Sequence, residues 1–526
     1  MKFIDLDKTE SFAALQALFP VELRTILNEQ RIRSSQIPLG GDLIYNYSAM
    51  PVEEEHLKVL CDLAEEQEVI EKYKELLSGQ VMNPGENRLV LHQLTRKNAL
   101  KDNIVIADST DKEAFYSQQL EKVYEFASKV REKKIVGSTG KPFTTVVQIG
   151  IGGSDLGPRA MYLAMEGWAQ GEGIETIDAR FISNVDPDDA KQVLQDADIE
   201  STLFILVSKS GTTQETLTNF ELVKKTMEEK RIAGFDSSRH LVAVTSNTSP
   251  LASSDDVMDA FYIDDYIGGR YSSTSAVGAL VLSLAFGKEV VSQFLEGAHE
   301  ADIRALETDP LKNGALLDAL IGVYLRNVLN MPTTAILPYS QALSRFPAHL
   351  QQLDMESNGK SVNREGKSIH YPTGPIIFGE PGTNGQHSFY QLLHQGTDSI
   401  PLQFIGFKEN QRKYDIETEG STSQDKLLAN LIAQIVAFAL GKEDENGNKR
   451  FSGNRFSSLI YGSRLTPKNL GALLAHYENK VMFQGFIWNI NSFDQEGVQL
   501  GKVLAKKVLS GAQGDTILRS FMKILL

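Results

Sequence analysis

Short apolar runs rich in β-branched residues alternate with helical patterns over most of the chain. Each of the first three runs leads into Gly, Ser, Thr or Asn and then into a helical pattern, which is typical of βαβ units around a buried parallel sheet. The same kind of run recurs later in the chain. The predicted strands are 144–151, 202–208, 240–246, 333–340, 374–380 and 400–407. The pattern therefore predicts an α/β fold.

The grouping of these runs divides the chain into predicted domains. At 526 residues the chain is too long for a single hydrophobic core, so several domains are expected. The first part of the chain alternates helical patterns with polar turns and holds no long β-rich run. We predict an N-terminal helical region packed on the second domain, two α/β sandwich domains and a C-terminal helical arm. They cover residues 1–115, 116–285, 286–487 and 488–526.

The amino-acid composition argues against several classes of binding partner and metal site. A net charge of −15 and a sequence pI near 5.2 argue against nucleic acid or an anionic membrane as a partner. A single cysteine, Cys61, excludes an intrachain disulfide and a cysteine-based zinc site. The N-terminal segment lacks the apolar core of a signal peptide, and no run approaches the ~20 apolar residues of a membrane span. We therefore expect a cytoplasmic protein.

A glycine-rich turn, QIGIGGSDLGPRA (148–160), follows the first predicted strand. A dinucleotide motif that starts at Gly150 fails because its last position is Asp155. A phosphate-binding Walker A loop that starts at Gly152 fails because Pro158 stands where lysine is required. What remains is a tight turn that exposes its backbone, with Pro158 suited to the first helical position. The alternative is a glycine turn that serves packing alone.

A hydroxyl-rich turn, VSKSGTTQETLTNF (207–220), follows the second predicted strand. Thr212 and Glu215 have the spacing of a capping box, which predicts a helix start. The amides of a helix N-terminus, together with neighbouring hydroxyls, form a phosphate site. A simple helix cap is the alternative, but it explains only one or two of the four hydroxyls present. They belong to Ser208, Ser210, Thr212 and Thr213.

Two carboxylates, Asp354 and Glu356, alternate with apolar residues in HLQQLDMESNGKSV (349–362). Side chains two positions apart do not share a helix face and point the same way only in a strand. A mechanism with paired carboxylates is therefore not expected on a helix or turn. The spacing alone leaves open whether one acid is a catalytic base or both are hydrogen-bonded into a turn.

Two histidines, His387 and His394, lie seven positions apart, so both can occupy one helix face. A metal pair is conceivable at this spacing, but no third ligand is evident nearby. A lone histidine at such a place is more often a hydrogen-bonded structural residue. The sequence therefore predicts no metal site.

The segment NSFDQEGVQLGK (491–502) predicts another helix start, because Ser492 and Gln495 have the spacing of a capping box. On that helix Gln495, Gln499 and Lys502 line one face. A solvated basic face is the alternative interpretation, since further lysines follow Lys502.

Taken together, these segments resemble the phosphoglucose isomerase family over about residues 83–505. Several long matches in the same order make the resemblance specific, whereas SKSGTT alone is found in sugar-isomerase domains generally. The densest matches are IGIGGSDLGP, GGRYSSTSAVG, RFPAHLQQLDMESNGK, GEPGTNGQHSFYQLLHQGT and NSFDQEGVQLGK. The chain departs from the family pattern at Ser273, Thr274 and Glu496.

The resemblance implies two αβα sugar-isomerase domains with parallel sheets. It also implies reversible isomerisation of glucose 6-phosphate and fructose 6-phosphate through ring opening and an enediolate, in glycolysis and gluconeogenesis. This reaction needs neither a redox cofactor nor an obligatory metal, so none is expected. The family is homodimeric, and His387 is expected to enter the active site from the partner subunit.

The resemblance also assigns roles to individual residues. Glu356 is the base that moves a proton between C2 and C1, and Arg270 stabilises the enediolate. His387 performs ring-opening acid–base chemistry, and Lys502 assists at the ring oxygen. Asp354 and His394 are left as structural residues. The expected substrate- and phosphate-binding residues are Gly153, Ser154, Ser208, Lys209, Ser210, Thr213, Gln352 and Gln495.

Two alternative functions are also compatible with the sequence. The three departures leave room for an isomerase that also accepts mannose 6-phosphate. A phosphosugar sensor without catalysis would keep the phosphate turn but lose the base. Retention of Glu356, Arg270, His387 and Lys502 favours an enzyme.

Overall fold

The computed structural model describes residues 1–100 and 103–526 as an assembly of strands and helices. The strands, β1 to β15, are Gln36–Gly40, Leu43–Asn46, Ile106–Ala107, Thr110–Asp111, Thr145–Ile149, Asp178–Ile182, Thr202–Val207, Leu241–Thr245, Asp259–Tyr262, Thr333–Tyr339, Ile376–Phe378, Leu402–Glu409, Glu417–Thr418, Ser421–Thr422 and Ser457–Arg464. The helices, α1 to α18, are Glu10–Gln16, Leu23–Ile26, Glu29–Ser34, Glu54–Glu66, Val69–Leu77, Lys112–Arg131, Leu156–Gly171, Pro187–Gln195, Gln214–Glu229, Ala276–Phe286, Lys288–Arg304, Gly314–Asn327, Phe346–Leu350, Tyr390–Gln395, Ser423–Leu440, Pro467–Ile487, Gln499–Leu509 and Thr516–Leu525.

The smaller sheet is parallel and has the strand order β6-β5-β7-β8-β9. Every residue of β5, β7 and β8 is buried. Strands covered on both faces carry continuous apolar runs, and this is why the sequence pattern located them. The predicted strands at 144–151, 202–208 and 240–246 are confirmed to within two residues at each end.

The larger sheet has the order β1-β2-β15-β12-β10-β11. Strands β10, β11, β12 and β15 pair in parallel, while β1 and β2 form an antiparallel hairpin added at the edge beside β15. The three later strand predictions are confirmed, and the α/β class with parallel sheets holds. The hairpin was not predicted, because its strands are short and Pro38 interrupts β1. Proline inside a short run is typical of an edge strand.

A long helix, α16, lies at the centre of the molecule. All of its residues except Lys468 are buried, and it packs against α11 and α12. One hydrophobic cluster includes side chains of both sheets, among them Leu203 of β7 and Ile405 of β12. The two sheets therefore share a continuous core, which holds the loops between them in fixed positions.

The last two helices lie at the surface, because neither α17 nor α18 has a buried residue, a property that they share with the short helix α3. Exposed apolar side chains line α18, including Ile517, Phe521 and Ile524. Within the described part of the chain, no helix has both the length and the apolar character needed to cross a membrane.

Candidate active site

The glycine-rich turn after β5 meets a second turn that follows β9. A side-chain carbon on Gly153 would lie 2.1 Å from the carbonyl carbon of Gly269 and 2.7 Å from the amide nitrogen of Arg270. Only glycine permits this close approach of two backbones. The neighbouring Gly152 has a φ of +60°, which also favours glycine. Helix α7 begins at Leu156, so Pro158 is its third residue and not its first, as the sequence had suggested.

Hydroxyl groups bond to one another in the turn between β7 and α9. Ser208 Oγ donates to Thr213 Oγ1 at 3.1 Å, and the hydroxyls of Ser210 and Thr212 lie 2.9 Å apart. Beside them, Lys209 Nζ donates to a backbone carbonyl at 2.8 Å. The turn therefore places several hydroxyls just before a helix, while the ammonium group of Lys209 reaches the segment that follows β9.

The predicted capping box of Thr212 and Glu215 is wrong. Helix α9 begins at Gln214, so Thr213 is the capping position, and its side chain makes no capping hydrogen bond. The hydroxyl of Thr212 is engaged with Ser210 instead. The first turn of α9 therefore lacks a capping side chain, and its amides and positive dipole end suit an anion.

A single turn of π-helix, Gln351–Glu356, follows α13. Such turns are uncommon and occur frequently at functional sites. Glu356 lies at its end with a side chain 19% exposed, and its Oε2 is 3.3 Å from Arg270 Nη1. That oxygen is buried and has no hydrogen-bond donor in suitable geometry among the described residues. Gln352 lies beside Gly152, and its amide oxygen is likewise buried without a partner.

Arg270 is 2% exposed, yet most of its partners are uncharged. Its Nε donates to Ser357 Oγ at 2.6 Å, and its Nη2 donates to the carbonyls of Ser492 and Asp494 at 2.7 and 2.9 Å. Two of the three guanidinium nitrogens are thus bonded to neutral oxygens, and the third faces Glu356. Ser357 directly follows the candidate base, but no sequence pattern singled it out.

Asp354 lies on the opposite side of the π-turn from Glu356. It is buried and lines a small cavity of about 40 Å³, together with Asp318 and Lys480. Burial raises the pKa of Asp354 to about 7, although the nearby Lys480 ammonium opposes the shift. The two carboxylates therefore do not form a pair, and of the two only Glu356 forms an ion pair with Arg270 among the described residues.

The two histidines have different surroundings. His394 stacks on the ring of Phe438 with centroids 3.8 Å apart, and its Nε2 lies 2.8 Å from Gln434 Oε1. His387 is exposed on the short 3₁₀ segment Asn384–His387, and no described residue forms a hydrogen bond with its side chain. In the part of the chain that the structure describes, no group of three or more His, Cys, Asp or Glu side chains could hold a metal.

The segment before α17 differs from its prediction. The hydroxyl of Ser492 donates to Asn358 Oδ1 at 2.6 Å, and α17 begins at Gln499. The predicted capping box of Ser492 and Gln495 is therefore wrong, because the hydroxyl is bonded across the fold. Gln495 precedes the helix and does not share its face with Lys502, which is exposed on α17.

A cavity of about 140 Å³ adjoins Arg270. It brings together two residues predicted to bind substrate, Lys209 and Gln495, and adds Arg88, which the sequence analysis did not single out. Arg88 is paired with acidic neighbours, so its charge is largely neutralised. The cavity therefore offers an anion the ammonium group of Lys209, which lies 3.9 Å from Asp265, beside the guanidinium of Arg270, while Glu356 is not part of its lining.

The departures from the family pattern do not alter this cavity. Ser273 and Thr274 are buried and absent from its lining, and the hydroxyl of Thr274 lies 2.8 Å from that of Thr95. Glu496 is exposed at the beginning of a short 3₁₀ segment.

This geometry defines an α/β protein with one parallel and one mostly parallel sheet, in which a carboxylate and a buried arginine face each other. The phosphoglucose isomerase family model matches residues 46–523. The chain belongs to the phosphoglucose isomerase family.

Similar proteins cover the chain almost completely. A glucose-6-phosphate isomerase of Treponema denticola is 59% identical over 535 residues and spans all of both chains. One from Borreliella burgdorferi is 46% identical, over 100% of this chain and 99% of the relative. A crystal structure of a glucose-6-phosphate isomerase from Chlamydia trachomatis superposes with a TM-score of 0.92 at 44% identity, covering 99% of each chain.

Proposed function

We propose that the protein interconverts D-glucose 6-phosphate and D-fructose 6-phosphate through ring opening and an enediolate intermediate, as a step of glycolysis and gluconeogenesis. The observation that carries the proposal is the placement of Glu356 Oε2 3.3 Å from Arg270 Nη1. Membership of the family and relatives named glucose-6-phosphate isomerase at 46–59% identity support this substrate pair.

Glu356 is the base that carries a proton between C2 and C1 of the open sugar. Its buried oxygen accepts no hydrogen bond from the described residues, so its lone pairs are available for a substrate proton. Arg270 stabilises the enediolate oxygen, because its charge is permanent and faces the place where negative charge develops.

The phosphate binds at the hydroxyl-rich turn and the start of α9. The hydroxyls, the uncapped amides and the positive end of the helix dipole all favour an anion there. The glycine turn and Gln352 hold the rest of the substrate. The proposed binding residues are Gly153, Ser154, Ser208, Lys209, Ser210, Thr213, Gln352 and Gln495.

Ring opening requires a further acid and base, for which we assign His387 and Lys502. Both side chains are exposed. The protein acts as a homodimer in which His387 completes the site of the partner subunit. An exposed histidine with no hydrogen-bond partner among the described residues of its own chain supports this arrangement.

A coupled assay of the purified protein tests the proposed activity. Glucose 6-phosphate and fructose 6-phosphate should interconvert, and the rate should survive extensive dialysis against a chelator. Mannose 6-phosphate in a parallel reaction measures specificity. Failure to convert either of the first two sugars would refute the proposal, and activity restored only by a divalent ion would refute metal-free catalysis.

A subunit-mixing experiment tests the shared site. His387→Ala and Glu356→Ala homodimers should each be nearly inactive. Unfolding and refolding them together produces mixed dimers, in which one site receives an intact residue from each chain while the other carries both defects. Half of the dimers are mixed after random reassortment, so about a quarter of parental activity should return. Verified mixed dimers without activity would show that each chain builds its site alone.

A further inference from the structure

Ser357, the residue that directly follows Glu356, makes contacts that none of the roles above uses. It is completely buried, and its Oγ accepts a hydrogen bond from Arg270 Nε at 2.6 Å. The hydroxyl of Tyr271 lies 3.1 Å from the same oxygen. The ring of Tyr271 in turn stacks on His92, with centroids 4.5 Å apart. One side of the guanidinium of Arg270 is therefore anchored to the residue next to the base.

The other side of the guanidinium is held through Asn358, which is also completely buried. Asn358 Nδ2 donates to the carbonyl of Val481 on the central helix at 3.0 Å, and its Oδ1 accepts from Ser492 Oγ at 2.6 Å. The carbonyl of Ser492 accepts from Arg270 Nη2 at 2.7 Å. Asn358 thus links the backbone acceptor of Arg270 to the rigid core.

We infer that Ser357 is a positioning residue for the isomerisation, which orients Arg270 so that Nη1 faces Glu356 and the substrate. The guanidinium is a planar fork, so fixing Nε and Nη2 determines where Nη1 points. A donor oriented before the reaction stabilises developing charge without reorganisation. This inference rests on the proposed function, because it concerns the step at which the enediolate forms.

The test is a comparison of Ser357→Ala with Ser283→Ala. Ser283 is a matched control, because it is also completely buried, lies on α10 and has a hydroxyl without a hydrogen-bond partner among the described residues. Both variants lose one buried hydroxyl, but only the first releases Arg270. We expect Ser357→Ala to lower kcat on the order of tenfold to a hundredfold, the cost of one hydrogen bond to a charged group. Ser283→Ala should remain close to the parent.

A second readout separates positioning from general damage. A 5-phosphorylated aldonohydroxamate imitates the planar oxyanion of the enediolate, whereas fructose 6-phosphate represents the ground state. Positioning predicts that Ser357→Ala weakens hydroxamate inhibition by the same factor as kcat/KM, while KM changes less than about threefold. Equal weakening of hydroxamate and sugar binding would overturn the inference, and so would a kcat within threefold of the parent.

Ser492→Ala keeps the inference testable if Ser357→Ala does not fold. This variant retains the backbone carbonyl but removes its link to Asn358, so the same pattern is expected with a smaller amplitude. A kcat and hydroxamate affinity equal to those of the parent would overturn the inference in that case. A parent inactive on both hexose phosphates would overturn the proposed function together with this inference. An active parent with an unaffected Ser357→Ala variant would overturn this inference alone.

Discussion

Two buried arginines, Arg96 and Arg270, have opposite surroundings. Arg96 is paired with two carboxylates whose side chains are completely buried. Its Nη1 lies 3.1 Å from both oxygens of Asp302, and its Nη2 donates to Glu478. A further hydrogen bond joins Asp302 to Asn479 at 2.9 Å. The cluster around Arg96 is closed, because its guanidinium is bonded to two buried carboxylates.

The surroundings of Arg270 are open by comparison. Its hydrogen bonds go to a hydroxyl and two backbone carbonyls, and the single carboxylate beside it, Glu356, is partly exposed. Neutral acceptors satisfy the donors of an arginine without cancelling its charge. The positive charge of Arg270 is therefore available to a substrate oxygen, whereas that of Arg96 is neutralised by buried carboxylates.

Burial and charge alone therefore do not distinguish Arg270, for which we propose a catalytic role, from Arg96. What separates the two arginines is the chemistry of their partners. Replacing residues in the open cluster should affect turnover, and replacing residues in the closed cluster should affect the free energy of unfolding. Three predictions, in decreasing order of expected effect, test this division.

The largest effect is expected from Glu356→Gln. The amide cannot accept the substrate proton, so turnover should fall by roughly 10² to 10⁴ while the fold remains. Steady-state kinetics together with circular dichroism measures both quantities. The same change in the closed cluster, Glu478→Gln, is the control and should leave kcat near the parental value. Equal kinetic losses in both variants would remove the distinction between the clusters.

The next effect concerns stability. Arg96→Met leaves Asp302 and Glu478 buried without their cation, and breaking a buried ion pair in this way costs about 3–5 kcal/mol. Urea unfolding should show a free energy of unfolding lowered by this amount, with a correspondingly lower midpoint. Arg270→Met should instead lose activity with a smaller change in the unfolding midpoint. A reversed ranking of the two variants would contradict the proposed roles.

The smallest effect concerns Asp354, which shares the π-turn with Glu356 but faces the core. Its pKa is raised to about 7 by burial, with Lys480 opposing and Asp318 reinforcing the shift. Above pH 4 the unfolded chain releases this proton while the native protein keeps it. The group's contribution to stability is therefore complete below about pH 4 and lost as the pH rises to about 7.

Asp354→Asn removes this titration, because the amide stays neutral. Relative to the parent, the variant should gain stability progressively between about pH 4 and pH 7, by no more than about 1.4 kcal/mol per pH unit. Thermal unfolding across this range measures the difference. A difference that does not change with pH would show that Asp354 titrates normally in the folded protein.

Several features of the protein could be predicted from the sequence because they depend on local periodicity. The buried strands of both parallel sheets appear as continuous apolar runs, since a strand covered on both faces has no polar side. The hydroxyl-rich turn was located for the same reason, because it directly follows such a run. The segment around Glu356 was also found, although spacing alone did not distinguish it from Asp354.

The predictions that failed concern side chains with more than one possible partner. The hydroxyls of Thr212 and Ser492 have capping-box spacing, but each is bonded elsewhere, one to Ser210 and the other to Asn358. The spacing of residues in the sequence identifies only the nearby groups with which a side chain could form a hydrogen bond. The partner that prevails is set by which distant groups the fold brings within reach.

The sequence by itself determined the α/β class, the positions of six of the fifteen described strands and the chemical groups available for catalysis. Tertiary structure decided which of those groups meet. Glu356 follows a strand of one sheet and Arg270 follows a strand of the other, and only the shared core places them 3.3 Å apart. The same packing determines that Glu356, and not Asp354, lies beside Arg270. Local patterns describe one element at a time, whereas a contact between elements depends on the burial of both.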